Sequence, residues 1–129
     1  MVSITIGKSL QIAGSYSTVT GQIVAANGLL TQISNEIANT SGNEVMAVAF
    51  DKTKVQAVYA ISNVDTNIIF RRSGPANEVS IALAANNPYI WTNDTYFANP
   101  FGNNIADVDW KNTNANNAAC QLFVLIDPT

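Results

Sequence analysis

The sequence predicts an all-β chain, folded as a single antiparallel β-sandwich or jelly-roll-like domain over residues 1–129. Three observations carry this expectation. Apolar residues recur with period 2 in short runs rich in β-branched and aromatic side chains, the pattern of strands with one face buried. Asn, Gly, Asp or Pro bounds each run, at the spacing of about 8–12 residues seen in sandwiches and barrels. The chain is 47% hydrophobic and only 12% charged over 129 residues, a length at which one domain buries about two thirds of its unfolded surface.

The runs follow in order. Val2, Ile4 and Ile6 alternate with Ser3 and Thr5, and Leu10 and Ile12 alternate with Ser9 and Gln11. Ile23-Val24-Ala25 and Leu29-Leu30-Thr31 flank Asn27-Gly28, a dipeptide that accepts the positive φ of a primed turn and so predicts a hairpin. Leu30, Ile33 and Ile37 have helical spacing, but Thr31, Ile33 and the adjacent Asn-Gly favour a strand. Met46, Val48 and Phe50 alternate with alanines, and Val55, Ala57, Tyr59 and Ile61 form the next comb. Ser73-Gly74-Pro75 separates a strand over 68–72 from one over 78–83, and Asn86-Asn87-Pro88 breaks the chain before Tyr89-Ile90-Trp91. Residues 99–104 read as a long loop and 112–117 as a hairpin tip, before the comb Cys120, Leu122, Val124, Ile126. Tyr89, Trp91 and Trp110 are expected to plug the core, and Cys120 to be an inert buried thiol.

Composition excludes much chemistry. With no histidine and one cysteine, the chain has no Ser-His-Asp or Cys-His relay, no His-containing zinc site, no intrachain disulfide and no Cys₄ cage. No cofactor is implied. Six basic against nine acidic residues give a net charge of −3, which offers nucleic acid or an acidic membrane no electrostatic footprint. No apolar run approaches the ~20 residues of a membrane helix. The alternating N-terminus does not read as a signal peptide, so synthesis in the cytoplasm without export is expected. Carboxylates are the remaining acid-base groups, yet no facing pair stands out for a small hydrolase. Asp107-Val108-Asp109 places two carboxylates on one strand face, which could seed a calcium site. It lacks the Gly and Glu of an EF-hand loop, and a solvated face is the preferred reading.

The remaining candidates concern contact. The 17 asparagines serve either turns, where Asn tolerates left-handed backbone, or a polar contact surface, and turns are preferred. Arg71-Arg72 reads as a solvated strand end or as an anchor for a partner's carboxylate. Tyr96, Phe97 and Phe101 lie in loop-like sequence and are the aromatic interface candidates. Val2 and Ile4, in the N-terminal strands of residues 1–42, are candidates for contact with a second copy or another partner through open strand edges.

From Asn43 onward a resemblance adds to this reading. Residues 45–51, Val55-Gln56-Ala57-Val58-Tyr59-Ala60-Ile61-Ser62 and Ile81-Ala82-Leu83-Ala84 resemble a group of small proteins encoded in tailed-bacteriophage structural modules. So do Pro88-Tyr89-Ile90-Trp91, Tyr96-Phe97-Ala98-Asn99-Pro100 and the ending Leu125-Ile126-Asp127-Pro128-Thr129. The likeness covers residues 43–129; residues 1–42 match in style alone. Asn86-Asn87 stands where a Gly-containing turn is usual in the group, and Asn is unusually abundant in 112–117. The resemblance implies a non-enzymatic virion component on the capsid exterior. It would be a cement (decoration) protein whose partner is the major capsid protein and which assembles as a trimer or dimer. The competing reading is a carbohydrate-binding or fibre-type module that stacks sugars on Trp91, Tyr96 or Trp110.

Overall fold

The alternating runs become strands because each buries one parity of side chains and leaves the other outward. The computed structural model describes residues 2–12, 15–25, 29–39, 42–72, 77–93 and 98–127. It holds β1 (Val2–Ile12), β2 (Ser15–Ala25), β3 (Leu29–Ile37), β4 (Gly42–Met46), β5 (Val55–Ser62), β6 (Thr66–Arg71), β7 (Asn77–Leu83), β8 (Tyr89–Thr92), β9 (Asp107–Asn112) and β10 (Ala118–Ile126), with no helix among the described residues.

Pairing within β3–β10 is nested. β6 and β7 form the innermost antiparallel pair, enclosed by β5 with β8, then β4 with β9, then β3 with β10. Rolling this long double strand brings β5 beside β10 and β6 beside β9. Two four-stranded sheets result, sheet I ordered β3-β10-β5-β8 and sheet II ordered β4-β9-β6-β7. Eight strands with this connectivity are a jelly roll. β1 and β2 form a separate antiparallel ribbon.

One hydrophobic cluster fills the space between the sheets. Sheet I contributes Leu122, Val124, Val58 and Trp91, and sheet II contributes Ile68, Phe70, Val108 and Trp110. Both tryptophans lie in the core as expected, while Tyr89 is partly buried against it. The Trp110 indole N–H donates to Thr66 Oγ1 at 2.9 Å, so the only polar atom of the ring is satisfied in the core. Cys120 is buried in line with Leu122 and Val124. The strand over 29–37 prevails over the helical alternative, as β3.

Two turn assignments need correction. The strands around Asn27-Gly28 are not hairpin partners: β2 pairs with β1, and β3 pairs along its whole length with β10. Turn chemistry marks where the chain reverses but does not choose a strand's partner. The tip residues 26–28 themselves lie outside the described residues. Residues 112–117 do not close a hairpin either, because β9 belongs to sheet II and β10 to sheet I. That segment crosses between the layers, and its asparagines supply the hydrogen bonds that a hairpin ladder would otherwise give. Asn112 Oδ1 accepts from the Asn114 N–H (2.9 Å) and Asn114 Oδ1 from the Asn116 N–H (3.1 Å).

The same economy recurs elsewhere. The side chains of Asn35, Asn39, Asn63, Asn93, Asn99 and Asn104 also make intramolecular hydrogen bonds, as do those of Asn112, Asn114, Asn116 and Asn117. These are ten of the chain's 17 asparagines, which weights the asparagine excess towards internal turns and crossings. Asn86 has φ of 59°, a left-handed conformation that Asn accepts in place of Gly.

Candidate interaction surface

Period 2 assigns the outward residues once the register is fixed. On sheet I, Phe123 lies opposite Tyr59, Gln121 opposite Ile61 and Leu125 opposite both Ala57 and Leu30. The alternate positions Cys120, Leu122 and Val124 belong to the core. The outer face therefore carries a Tyr59–Phe123 pair, edge to face with centroids 5.6 Å apart, in the range where aromatic pairs attract. It is flanked by Leu30 and Ile90, which are 39% and 38% exposed. Leu125 and Ala57 are buried although their parity points outward, and β2 comes up against β5. Towards the other end the face sinks over Ala119 into an open depression of about 360 Å³ bordered by Ser34, Glu36, Ile61, Asn63 and Gln121. Glu36 is the only charged residue on the outward positions of this sheet. It accepts a hydrogen bond from Asn117 Nδ2 at 3.0 Å.

Sheet II presents a different outer face. Val45, Asp109, Ile69 and Ser80 line up across its four strands, next to Lys111 and Asn67. Arg71 Nε donates to Asp107 Oδ1 at 2.7 Å, and Asp109 Oδ2 lies 3.9 Å from both Arg71 Nη1 and Lys111 Nζ. Two cations thus balance the two carboxylates whose shared face suggested a calcium site, and an incoming cation would have to displace Arg71. Among the described residues no group of three His, Cys, Asp or Glu converges on one point. The other Asp109 oxygen, also buried, has no hydrogen-bond partner among the described residues. The hydrogen bond that Arg71 donates to Asp107 and the nearby negative charges raise the Arg71 pKa above its ordinary value. Such a half-exposed pair orders the strand end more than it stabilises the fold.

The contact candidates separate accordingly. Arg71 is committed to its own sheet. Arg72 is exposed at the rim of an open depression of about 430 Å³ shared with Lys52, Asn103 and Asn104, where it could meet a partner's carboxylate. Val2 and Ile4 sit at the open end of the β1–β2 ribbon, opposite Ala25 and Ile23. Tyr96 and Phe97 lie outside the described residues. Phe101 is corrected from interface to core. It is 3% exposed and its ring packs edge to face on Phe50 and Phe70, each at 5.1 Å between centroids. Asn99 turns the loop inward by accepting the Phe101 N–H at 2.9 Å while donating to the Lys52 carbonyl.

The Tyr59–Phe123 surface escaped the sequence reading. A signal was present: Leu122-Phe123-Val124-Leu125-Ile126 is apolar at both parities, and a strand that is apolar on both faces has something to cover on each. Compared with protein-family models, curated proteins and solved structures, the chain matches none.

Burial also fixes an alkaline limit. It raises the pKa of Cys120 and of Tyr89 above their ordinary values of 9.0 and 10.0, in Cys120 against the opposing effect of its hydrogen bond with Ser62. Unfolding would let both groups ionise sooner, so this contribution is complete below pH about 9 and is lost as pH rises through the folded pKa values. The urea midpoint should therefore fall as the pH rises above about 9. Cys120→Ala should remove the lower part of that fall; an unchanged profile in the variant would contradict the assignment.

Proposed function

We propose that the chain is a structural protein of a tailed-phage particle, a cement protein that binds the outside of the head shell and stabilises it. Its partner in this reading is the major capsid protein, and it acts as a homo-oligomer without catalysis. Jelly rolls serve as viral capsid and lectin domains, an analogy of fold that needs support from the surface. The observation that carries the reading is the division of the chain into a packed jelly roll and a separate two-stranded ribbon. The ribbon's outer edges are open to pairing among the described residues. A cement protein works by covering seams between neighbouring subunits. A sandwich with few charges to desolvate suits that work, as does a ribbon whose edges a neighbouring chain could pair with. The phage-like segments over 43–129 point the same way.

The glycan reading is less favoured because Trp91 and Trp110 are 5% and 0% exposed and have no ring face to offer a sugar. Tyr96, its third platform residue, lies outside the described residues.

The test is addition of the purified chain to phage heads emptied of it, followed by thermal disruption and mass spectrometry of washed particles. Stoichiometric retention and a raised disruption temperature are expected. Absence from particles, or an unchanged temperature at saturation, would overturn the proposal.

A further inference from the structure

We infer that Arg72, Lys52 and Asn104 form a seat for a carboxylate, and that this carboxylate is an aspartate or glutamate side chain on a protein partner. Three segments distant in sequence build it. Phe50 and Ile105 both belong to the core and exchange backbone hydrogen bonds of 3.0 and 2.9 Å, which lays residues 50–52 beside 103–105. The Ala106 N–H donates to the Arg71 carbonyl at 2.8 Å and brings the end of β6 to the same place. Lys52 then fastens the loop: its N–H donates to Asn104 Oδ1 at 3.1 Å and its Nζ to the Gly102 carbonyl at 2.6 Å. The three side chains thus stand on backbone that is already tied, so little ordering remains to be done on binding.

Donors outnumber acceptors at this spot. Lys52, Arg72, Asn103 and Asn104 border the depression of about 430 Å³, and no carboxylate is among the described residues that line it. Arg72 is exposed and makes no hydrogen bond or ion pair among the described residues. Asn104 spends its oxygen on the Lys52 N–H, which leaves its amide nitrogen, with two N–H donors, without a partner among the described residues. Lys52 keeps its charge and two N–H groups beyond the one given to Gly102. The carboxylates next along the chain are engaged elsewhere. Asp51 accepts from the Thr53 N–H (2.8 Å) and hydroxyl (2.7 Å), and Asp107 accepts from Arg71 (2.7 Å). A chain of net charge −3 therefore sets two of its six basic residues around one depression. A planar guanidinium fork beside an amide and an ammonium matches the two oxygens of a carboxylate. The depression is open, and the described residues around it are all polar, unlike the concave and mostly apolar pockets that hold small molecules. A carboxylate carried on a protein surface fits it better.

The seat deepens the proposed function by naming the chemistry of one contact, and it rests on that reading for the identity of the partner alone. Its test uses the free full-length chain, so it succeeds or fails apart from shell binding. A capped tetraglutamate peptide, titrated to about 10 mM into the ¹⁵N-labelled chain, should shift the Arg72 Nε–H and Asn104 Nδ2–H resonances saturably, and capped tetraglutamine should not. Arg72→Ala should weaken binding by about tenfold or more. Arg72→Lys keeps the charge but loses the fork, and should weaken it by about three- to tenfold. Asn104→Asp keeps the acceptor for the Lys52 N–H but turns a negative oxygen into the seat, and should abolish binding. Lys111→Ala removes a cation from the face of sheet II and should leave the affinity within about twofold. Emission from the buried Trp91 and Trp110 reports that each variant is folded. The absence of a saturable shift overturns the inference, and so do equal losses from Arg72→Ala and Lys111→Ala. Inorganic phosphate that saturates the same resonances at lower concentration than the peptide also overturns it, by making the seat one for phosphate.

Discussion

Trp110→Ala should destabilise the fold by about 3–5 kcal/mol, the largest loss expected from any single change considered. The side chain is 0% exposed in the centre of sheet II, between Glu44 of β4 and Ile68 of β6 in the register. Truncation opens a cavity between the sheets and strands the Thr66 hydroxyl, itself 3% exposed. For a domain with a total stability of about 5–15 kcal/mol, the variant should be marginal at 25 °C. Trp110→Phe separates the causes: it keeps most of the ring volume and loses the N–H donor, so about 1–2 kcal/mol should go. Urea unfolding followed by circular dichroism gives both numbers. A Trp110→Ala loss below about 1 kcal/mol would mean that the ring is not the plug between the sheets.

Asn112→Ala should cost about 2–4 kcal/mol, a large effect for a residue with no apolar side chain to bury. Asn112 is 0% exposed, and its amide nitrogen donates to the carbonyls of Ile37 (3.0 Å), Ala38 (3.1 Å) and Asn116 (2.9 Å). Those carbonyls belong to the end of β3 and to the crossing between the sheets, so one side chain ties the two layers at this corner. Asn112→Asp makes the sharper test. It keeps the shape and the acceptor for the Asn114 N–H, but turns a carboxylate oxygen towards three carbonyls. At pH 7 it should be less stable than Asn112→Ala, and it should recover on acidification as the protonated carboxyl regains one donor. A stability order with Asp above Ala at neutral pH would show that the amide is not the tie.

The strand content was legible because burial of one face writes period 2 into the chain, as in the alternation from Met46 to Phe50. There the buried-exposed pattern continues past the end of β4 into irregular backbone. Pairing was not legible. β3 and β10 are joined by ladders between residues such as Leu30 and Leu125, and nothing local in either segment names the other. Phe101 misled for a related reason. Asn99-Pro100 and Gly102-Asn103-Asn104 are turn formers on either side of it, and turn formers predict surface, yet a loop that caps the end of a sandwich can send its one ring inward. Arg71 was visible as a charge but not as a spent one, because its carboxylate arrives from 36 residues away. On the surface, Val2 and Ile4 were legible as members of a comb. The ribbon was not, since it exists only once β1 is aligned with β2.

The nested pairing also has a consequence in time. β10 lies in the interior of sheet I, hydrogen-bonded on one side to β3 and on the other to β5, yet residues 118–126 are synthesised after every other strand. While the chain is being made, β3 and β5 have no strand between them, and each carries an unsatisfied edge through the translation of all that separates it from β10. Assembly of sheet I is thus withheld until residues 118–126 have been made, and a ribosome that stalls before residue 118 holds a chain with two sticky edges.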